Sequence, residues 1–216
     1  MKRLHLGCGQ RYFEGYVNID YPLTEHTVQT TSVADEFHDL LALNYAPSSI
    51  DEIRLHHVFE HFTRAQAAAL LGSWNAWLKR GGILHIEVPD VERTARAAFG
   101  MLAGEKALYV GLRHIFGSQE AHWAVHYEGY SKKTLTRFLE RFGFSIQKVL
   151  QEKWKDTYNI SVIAKKERDL DLSSARAAAK EHLSQYMVDD GQSESVMLEV
   201  WLRDLDAQLN KTFPAR

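Results

Sequence analysis

Leu4-His5-Leu6-Gly7-Cys8-Gly9 is a short apolar run broken by glycines, and Tyr16-Val17-Asn18-Ile19-Asp20 follows it closely. The first stretch reads as a strand entering a glycine turn, the second as a strand with a carboxylate at its C-terminal end. Glycines in such a turn let the backbone approach a ligand and adopt positive φ. In an open α/β sheet, ligands sit beyond the carboxyl ends of the strands, where the strand order changes direction. Taken alone, a Gly-x-Gly fits a mere tight turn equally well. Asp20 adds to the signal, because a carboxylate at that strand end can accept both hydroxyls of a ribose. Only eleven residues lead from Gly9 to Asp20, too few for a helix whose N-terminus would hold a pyrophosphate. A ligand with a ribose and no phosphate is favoured over a dinucleotide.

The rest of the chain alternates in the same way. Ile50 to Leu55 reads as a strand. Thr63 and Gln66 form a capping box for a helix carrying Leu70, Leu71, Trp74, Trp77 and Leu78, stopped at Gly81-Gly82. Ile83 to Val88 reads as a buried strand closed by Pro89-Asp90, followed by a helix from Val91 to Leu102. Ser131 caps a helix with Leu135, Phe138, Leu139 and Phe142 inward, ended by Gly143. Phe144 to Leu150 and Asn159 to Lys165 have no helix between them and so predict an antiparallel hairpin. This alternation implies an α/β fold, a mostly parallel sheet with helices on both faces.

The composition changes near Asp169, which divides the chain into a body, 1–168, and a helical appendage, 169–216. Met197, Trp201, Leu205 and Leu209 stripe the last helix, and that stripe predicts packing on the body or on a second copy. The 216 residues are 45% hydrophobic and 25% charged, with a formal net charge of −2, so no basic excess calls for nucleic acid. A single cysteine, Cys8, rules out an internal disulfide and a multi-cysteine zinc site. Without an apolar leader or an apolar run near ~18 residues, the expectation is a cytoplasmic protein with no membrane insertion.

Five stretches in order resemble a known family: Leu4 to Gly9 with Glu14 to Asp20; Asp39-Leu40; Ser49 to Ile53 with His57-Val58-Phe59-Glu60-His61; Leu78 to Asp90; and Phe138 to Phe144. Together they resemble the class I S-adenosylmethionine-dependent methyltransferases, and more narrowly a short-loop bacterial subgroup found among glycan and cell-surface biosynthesis functions. The resemblance implies a seven-stranded Rossmann-like sheet with the last strand antiparallel, and S-adenosylmethionine as cofactor. It places Gly7, Cys8 and Gly9 under the methionine part, Asp20 at the ribose, and Asp39 with Leu40 at the adenine. His56 and His57 would flank the methionine end. The missing helix after Gly9 departs from the wider class and matches the subgroup. A residue such as Asp51 reads better as a turn residue than as a ligand.

Histidines supply the remaining candidates. His57, Glu60 and His61 are spaced i, i+3, i+4, and His114, His122 and His126 precede the helix capped by Ser131. A hydroxyl attacking a methyl group must lose its proton, and a near-neutral imidazole suits that task. The same residues can bind a divalent metal, or serve as caps and packing groups; the sequence assigns no metal. His126, His61 and Glu60 are the expected catalytic set, acting on a hydroxyl of a small molecule or glycan. Cys8 as a nucleophile has no base beside it. Alternatives from other classes are a cofactor-binding regulatory module without turnover, and a nicotinamide enzyme, which the missing phosphate-binding helix disfavours.

Overall fold

Seven strands, β1 (Arg3–Leu6), β2 (Val17–Asp20), β3 (Glu36–Phe37), β4 (Ile50–His56), β5 (Leu78–Pro89), β6 (Phe144–Trp154) and β7 (Thr157–Lys166), form one sheet in a computed structural model that describes residues 1–155 and 157–213. Their order is β3-β2-β1-β4-β5-β7-β6. β1 to β5 pair in parallel, and β7 runs antiparallel between β5 and β6. The hairpin expected at the end of the sheet is present and longer at both arms. β3 escaped the sequence reading, since two exposed residues, Glu36 and Phe37, carry no period.

Six helices follow: α1 (Arg64–Trp77), α2 (Val91–Ala98), α3 (Glu105–Phe116), α4 (Lys132–Arg141), α5 (Leu172–Leu183) and α6 (Gln192–Thr212). Both capping boxes form, Thr63 with Gln66 and Ser131 with Thr134. α1 ends at Trp77 rather than at Gly81, because Leu78 already pairs with Ile50 and a bulge carries the strand past the glycines. α2 stops at Ala98, leaving Met101 and Leu102 in solvent. α3 was not foreseen, because its only buried residue is Gly111, which packs closely on Ala98 of α2.

One face of the sheet is apolar. Leu4, Leu6, Ile53, Leu55, Leu84, Ile86 and Val162 join α1, α4, α5 and α6 in a single core. The opposite face carries Asn18, His5, Arg54 and His85 in register across β2, β1, β4 and β5. Over that row no helix follows Gly9. The loop between β1 and β2 covers it instead, with Phe13 against His5 and under the Arg54 guanidinium. The expectation of helices on both faces fails for this part of the sheet.

The tail joins the same core. Asn75 in α1 donates to the carbonyls of Phe142 and Arg168, both at 2.9 Å, and accepts from the Leu170 amide at 3.1 Å. Leu198, Leu202, Leu205 and Leu209 are the buried residues of α6, so the inner stripe turns one residue from the expected Met197 and Trp201 in its first half. Residues 214–216 of the appendage lie outside the described residues. No helix among the described residues is long and apolar enough to cross a membrane.

Leu205 is fully buried, so Leu205→Ala leaves a cavity and should cost about 2–5 kcal/mol. Chemical denaturation should show this as a lower midpoint with one unfolding transition. A separate, earlier transition for the tail would contradict its place in the core.

Candidate functional site

The strand order turns outward in both directions from β1 and β4, and a cavity of about 650 Å³ opens where their C-terminal ends part. Gly7, Cys8 and Gly9 after β1, Asp20 at the end of β2, Asp39 and Leu40 after β3, and His56 and His57 at the end of β4 all line it. Gly7 and Gly9 adopt φ of 64° and 53°. A Cβ on Gly7 would strike Val58, whereas one on Gly9 would meet nothing within 4 Å.

Asp20 is only 5% exposed. Its Oδ1 accepts from the Tyr21 amide at 2.9 Å, but Oδ2 has no hydrogen-bond partner. An unpaired buried carboxylate oxygen is costly, and one facing a cavity is a ready acceptor for a ligand hydroxyl. Asp39 Oδ1 accepts from the Leu41 amide at 2.9 Å, a turn that fixes the carboxylate at the cavity wall. Burial, with the charges of Arg11 and neighbouring histidines, pushes His56 down to about 3, so it is neutral. Burial and the charge of Asp20 push the Cys8 thiol up to about 12, which leaves it inert as a nucleophile. Asp51 pairs with Lys79 Nζ at 2.8 Å at the opposite strand ends and takes no part.

A second cavity, of about 890 Å³, is lined by His57, His61, Glu87, Arg113, His114 and His126 among others. Arg11, His57, His61 and Trp123 line both cavities and form their common wall. Glu60 lines neither. It is 1% exposed beneath that wall, with Oε1 at 3.4 Å from His57 Nδ1 and 3.9 Å from His126 Nε2, and neither oxygen is hydrogen-bonded. The sequence grouped Glu60 with catalytic residues; it lies beneath imidazoles and outside the lining of either cavity. Burial alone would raise its carboxyl, but His57, His61 and His126 hold it below the usual carboxylate range. Burial works against a charge on His57, yet contact with Glu60 and the charges of Glu60 and Glu87 outweigh it and raise the imidazole. His57 sits at φ 54°, outside the short turn Phe59–His61, so the three residues do not share one helical face.

His126 and His61 stand edge to face with ring centroids 4.7 Å apart. His61 Nδ1 is 3.1 Å from the Val125 carbonyl, so that nitrogen donates and Nε2 is left as the acceptor in the neutral ring. Burial holds His126 below its ordinary value, against the pull of Glu60, and keeps it neutral near pH 7. Gly117, at φ 85°, lets its strand bridge Val125, where a Cβ would run into the Ala124 carbonyl. The amides of Tyr127 and Glu128 then donate to the Glu60 carbonyl at 2.9 and 3.3 Å, clamping this loop to the wall. The tail holds it from behind: Arg64 lies 4.1 Å from the Tyr186 ring centroid, 5.0 Å from that of Trp201 and 3.3 Å from Glu128 Oε2.

Glu60, His61 and His126 each offer a ligand atom, all within 4.8 Å of one another, a grouping able to hold a metal ion. His114 turns away, with Nε2 at 3.0 Å from the Tyr158 carbonyl, and exposed His122 lines the first cavity instead. The sequence reading missed Arg11 and His26; it reads Trp123 as a ring that stacks on an acceptor or closes the core. His26 lies 5.2 Å from the Trp123 ring, and Trp123 donates to the Glu25 carbonyl at 2.8 Å, which closes two distant loops over the cavity mouth. Nothing local marks such pairs; only the pressure on both loops to cross the same strand ends does.

No family model matches the chain, and no curated protein matches it. Solved structures match by shape. The Burkholderia thailandensis 1,6-didemethyltoxoflavin-N1-methyltransferase, with 1,6-didemethyltoxoflavin and S-adenosylhomocysteine bound, is 13% identical with a TM-score of 0.53, over 77% of this chain and 71% of that one. An S-adenosylmethionine-dependent methyltransferase from Mesorhizobium loti is 15% identical with a TM-score of 0.52, over 76% and 90% of the two chains. The fold is that of the class I S-adenosylmethionine-dependent methyltransferases.

Glu60→Gln removes the buried charge that favours protonated His57. NMR titration in chelator-treated buffer should show the His57 midpoint falling from its raised value. An unmoved His57 midpoint would remove Glu60 from this role.

Proposed function

We propose that this chain is a cytoplasmic S-adenosylmethionine-dependent methyltransferase that methylates a hydroxyl of a small molecule or glycan, as in the cell-surface subgroup the sequence resembles. One observation carries the reading: Asp20, buried at the end of β2, presents Oδ2, without a hydrogen bond and 3.8 Å from His26 Nε2, to a cavity lined by Gly7, Cys8 and Gly9. That arrangement fits a ribose beside a close backbone approach, with Gly9 leaving open space above it. Asp39 and Leu40 would take the adenine, the carboxylate accepting from its exocyclic amine. His56 and His57 would flank the methionine end, with neutral His56 imposing no repulsion on a sulfonium.

When bound, S-adenosylmethionine supplies an electrophilic methyl group. The chain's own part is chiefly to hold the reacting atoms in line, which can supply ~7–11 kcal/mol. His126 takes the proton from the acceptor hydroxyl as the oxygen reacts, and His61, with its tautomer fixed by the Val125 carbonyl, orients that hydroxyl. Glu60 fixes both rings and stabilises the imidazolium as it forms. Body 1–168 would bind and react, and appendage 169–216 would brace the His126 loop. A pairing of two copies through α6 would have to use Val196 and Val200, which that helix leaves exposed.

A second reading is favoured by the grouping of Glu60, His61 and His126: a divalent metal there would hold the acceptor oxygen and lower its pKa.

Asp20→Ala should weaken S-adenosylhomocysteine binding at least tenfold by calorimetry, since each lost charge-assisted hydrogen bond is worth ~1.5–3 kcal/mol. His126→Ala should lower turnover by about 10²–10⁴-fold with that affinity unchanged. Because the folded value of His126 lies below 6.5, its basic form persists below that pH, and kcat/KM should fall only on the acid side of 6.5. Loss of activity with a chelator and its return with a divalent ion would favour the metal. Binding without any turnover would favour a regulatory module.

A further inference from the structure

The second cavity is chemically unlike the first. On its rim stand Arg11, beyond the glycine turn, and Arg113, in the last turn of α3. Neither has a carboxylate within ion-pair distance among the described residues, whereas Arg96 pairs with Glu92, Arg141 with Glu181 and Arg176 with Asp206. Lys153 lines the same cavity from β6. Its carboxylates are Glu87, which is 3.6 Å from His57 Nε2, and Glu152. With Glu87 matched by a histidine, three cations face one free carboxylate among the described lining residues, in a chain whose net charge is −2. Trp154, 61% exposed at the end of β6, adds a flat apolar edge.

The field of these cations is felt inside. Arg11 lines both cavities, and its charge lowers both His56 and His57. Unpaired guanidiniums converging on a cavity are the usual recognition groups for carboxylates and phosphates, which they grip through two parallel hydrogen bonds. His126 and His61 line the same cavity, and His61 also lines the first.

We propose that the second cavity binds a small acidic acceptor, its carboxylate or phosphate held between Arg11 and Arg113 and its nucleophilic hydroxyl turned toward His61 and His126. This rests on the methyl-transfer reading for the word acceptor, and on the cavity alone for the anion. An acid group held at the rim sets the distance from anchor to reacting oxygen, so neutral compounds with the same hydroxyl would bind poorly and react slowly.

The test uses the full chain with and without saturating S-adenosylhomocysteine. Inorganic phosphate, citrate and neutral myo-inositol are titrated while the side-chain NMR signals of His57, His114 and His126 are followed. Phosphate or citrate should shift these signals saturably and myo-inositol should not; the tighter of the two identifies the acid group. Arg113→Gln and Arg11→Gln should each weaken the anion at least fivefold, whereas Arg137→Gln, on the outer face of α4, should not. Equal response to myo-inositol, or anion binding unchanged in both cavity variants, would overturn the proposal. Wild-type chain that fails to bind S-adenosylhomocysteine would overturn methyl transfer, and the anion titration would still decide the cavity.

Discussion

A carboxylate sealed from water and surrounded by imidazoles is the constraint on which this site is built. Glu60 has no hydrogen-bond partner for either oxygen, so the charge is tolerable only while protonated or polar rings stay close. The requirement pulls His57, at the end of β4, and His126, on a loop more than sixty residues later, toward one point. The backbone of the same residue accepts two amides from that loop. One residue thereby fixes the wall between two cavities without touching the contents of either.

The sheet supplies the frame around that point. Short β1 and β2 and the loop between them replace a helix with Phe13 and Tyr16, whose rings lie under Arg54. A polar row of Asn18, His5, Arg54 and His85 lies there, partly satisfied by its own members, the loop and β7. His5 Nδ1 sits 3.1 Å from Asn18 Oδ1, and His85 Nε2 sits 2.6 Å from Ser161 Oγ. The opposite face needs no such arrangement, since apolar helices cover it.

Elements with strong local signals were legible in the sequence. The strand into Gly7-Cys8-Gly9, the strand ending at Asp20, both capping boxes and the final hairpin all stood where their residues placed them. β3 and α3 were silent because neither buries a periodic stripe. The helix end at Trp77 was misplaced because Gly81, at φ 79°, resembles a helix stop although it lies within β5. α6 kept its spacing and lost its phase, since Leu198 and Met197 are equally plausible from hydrophobicity alone and packing on α1 chooses between them. That Gly7, Cys8, Gly9, Asp20, Asp39, Leu40, His56 and His57 would line one cavity was legible because chain order brings strand ends together. Arg11 and His26 were not, because their place at the cavity depends on how separate loops cross.

Arg64 has a consequence for how the molecule comes into being. Its partners are Glu128, Tyr186 and Trp201, so the brace behind the His126 loop is assembled from three distant parts of the chain. Synthesis runs from the N-terminus, and contacts of such wide separation form late. The glycine turn and its neighbouring strands can be in place while α6 is still inside the ribosome. During translation the nascent chain would then own a nearly finished first cavity beside a wall that is completed only when its final helix docks.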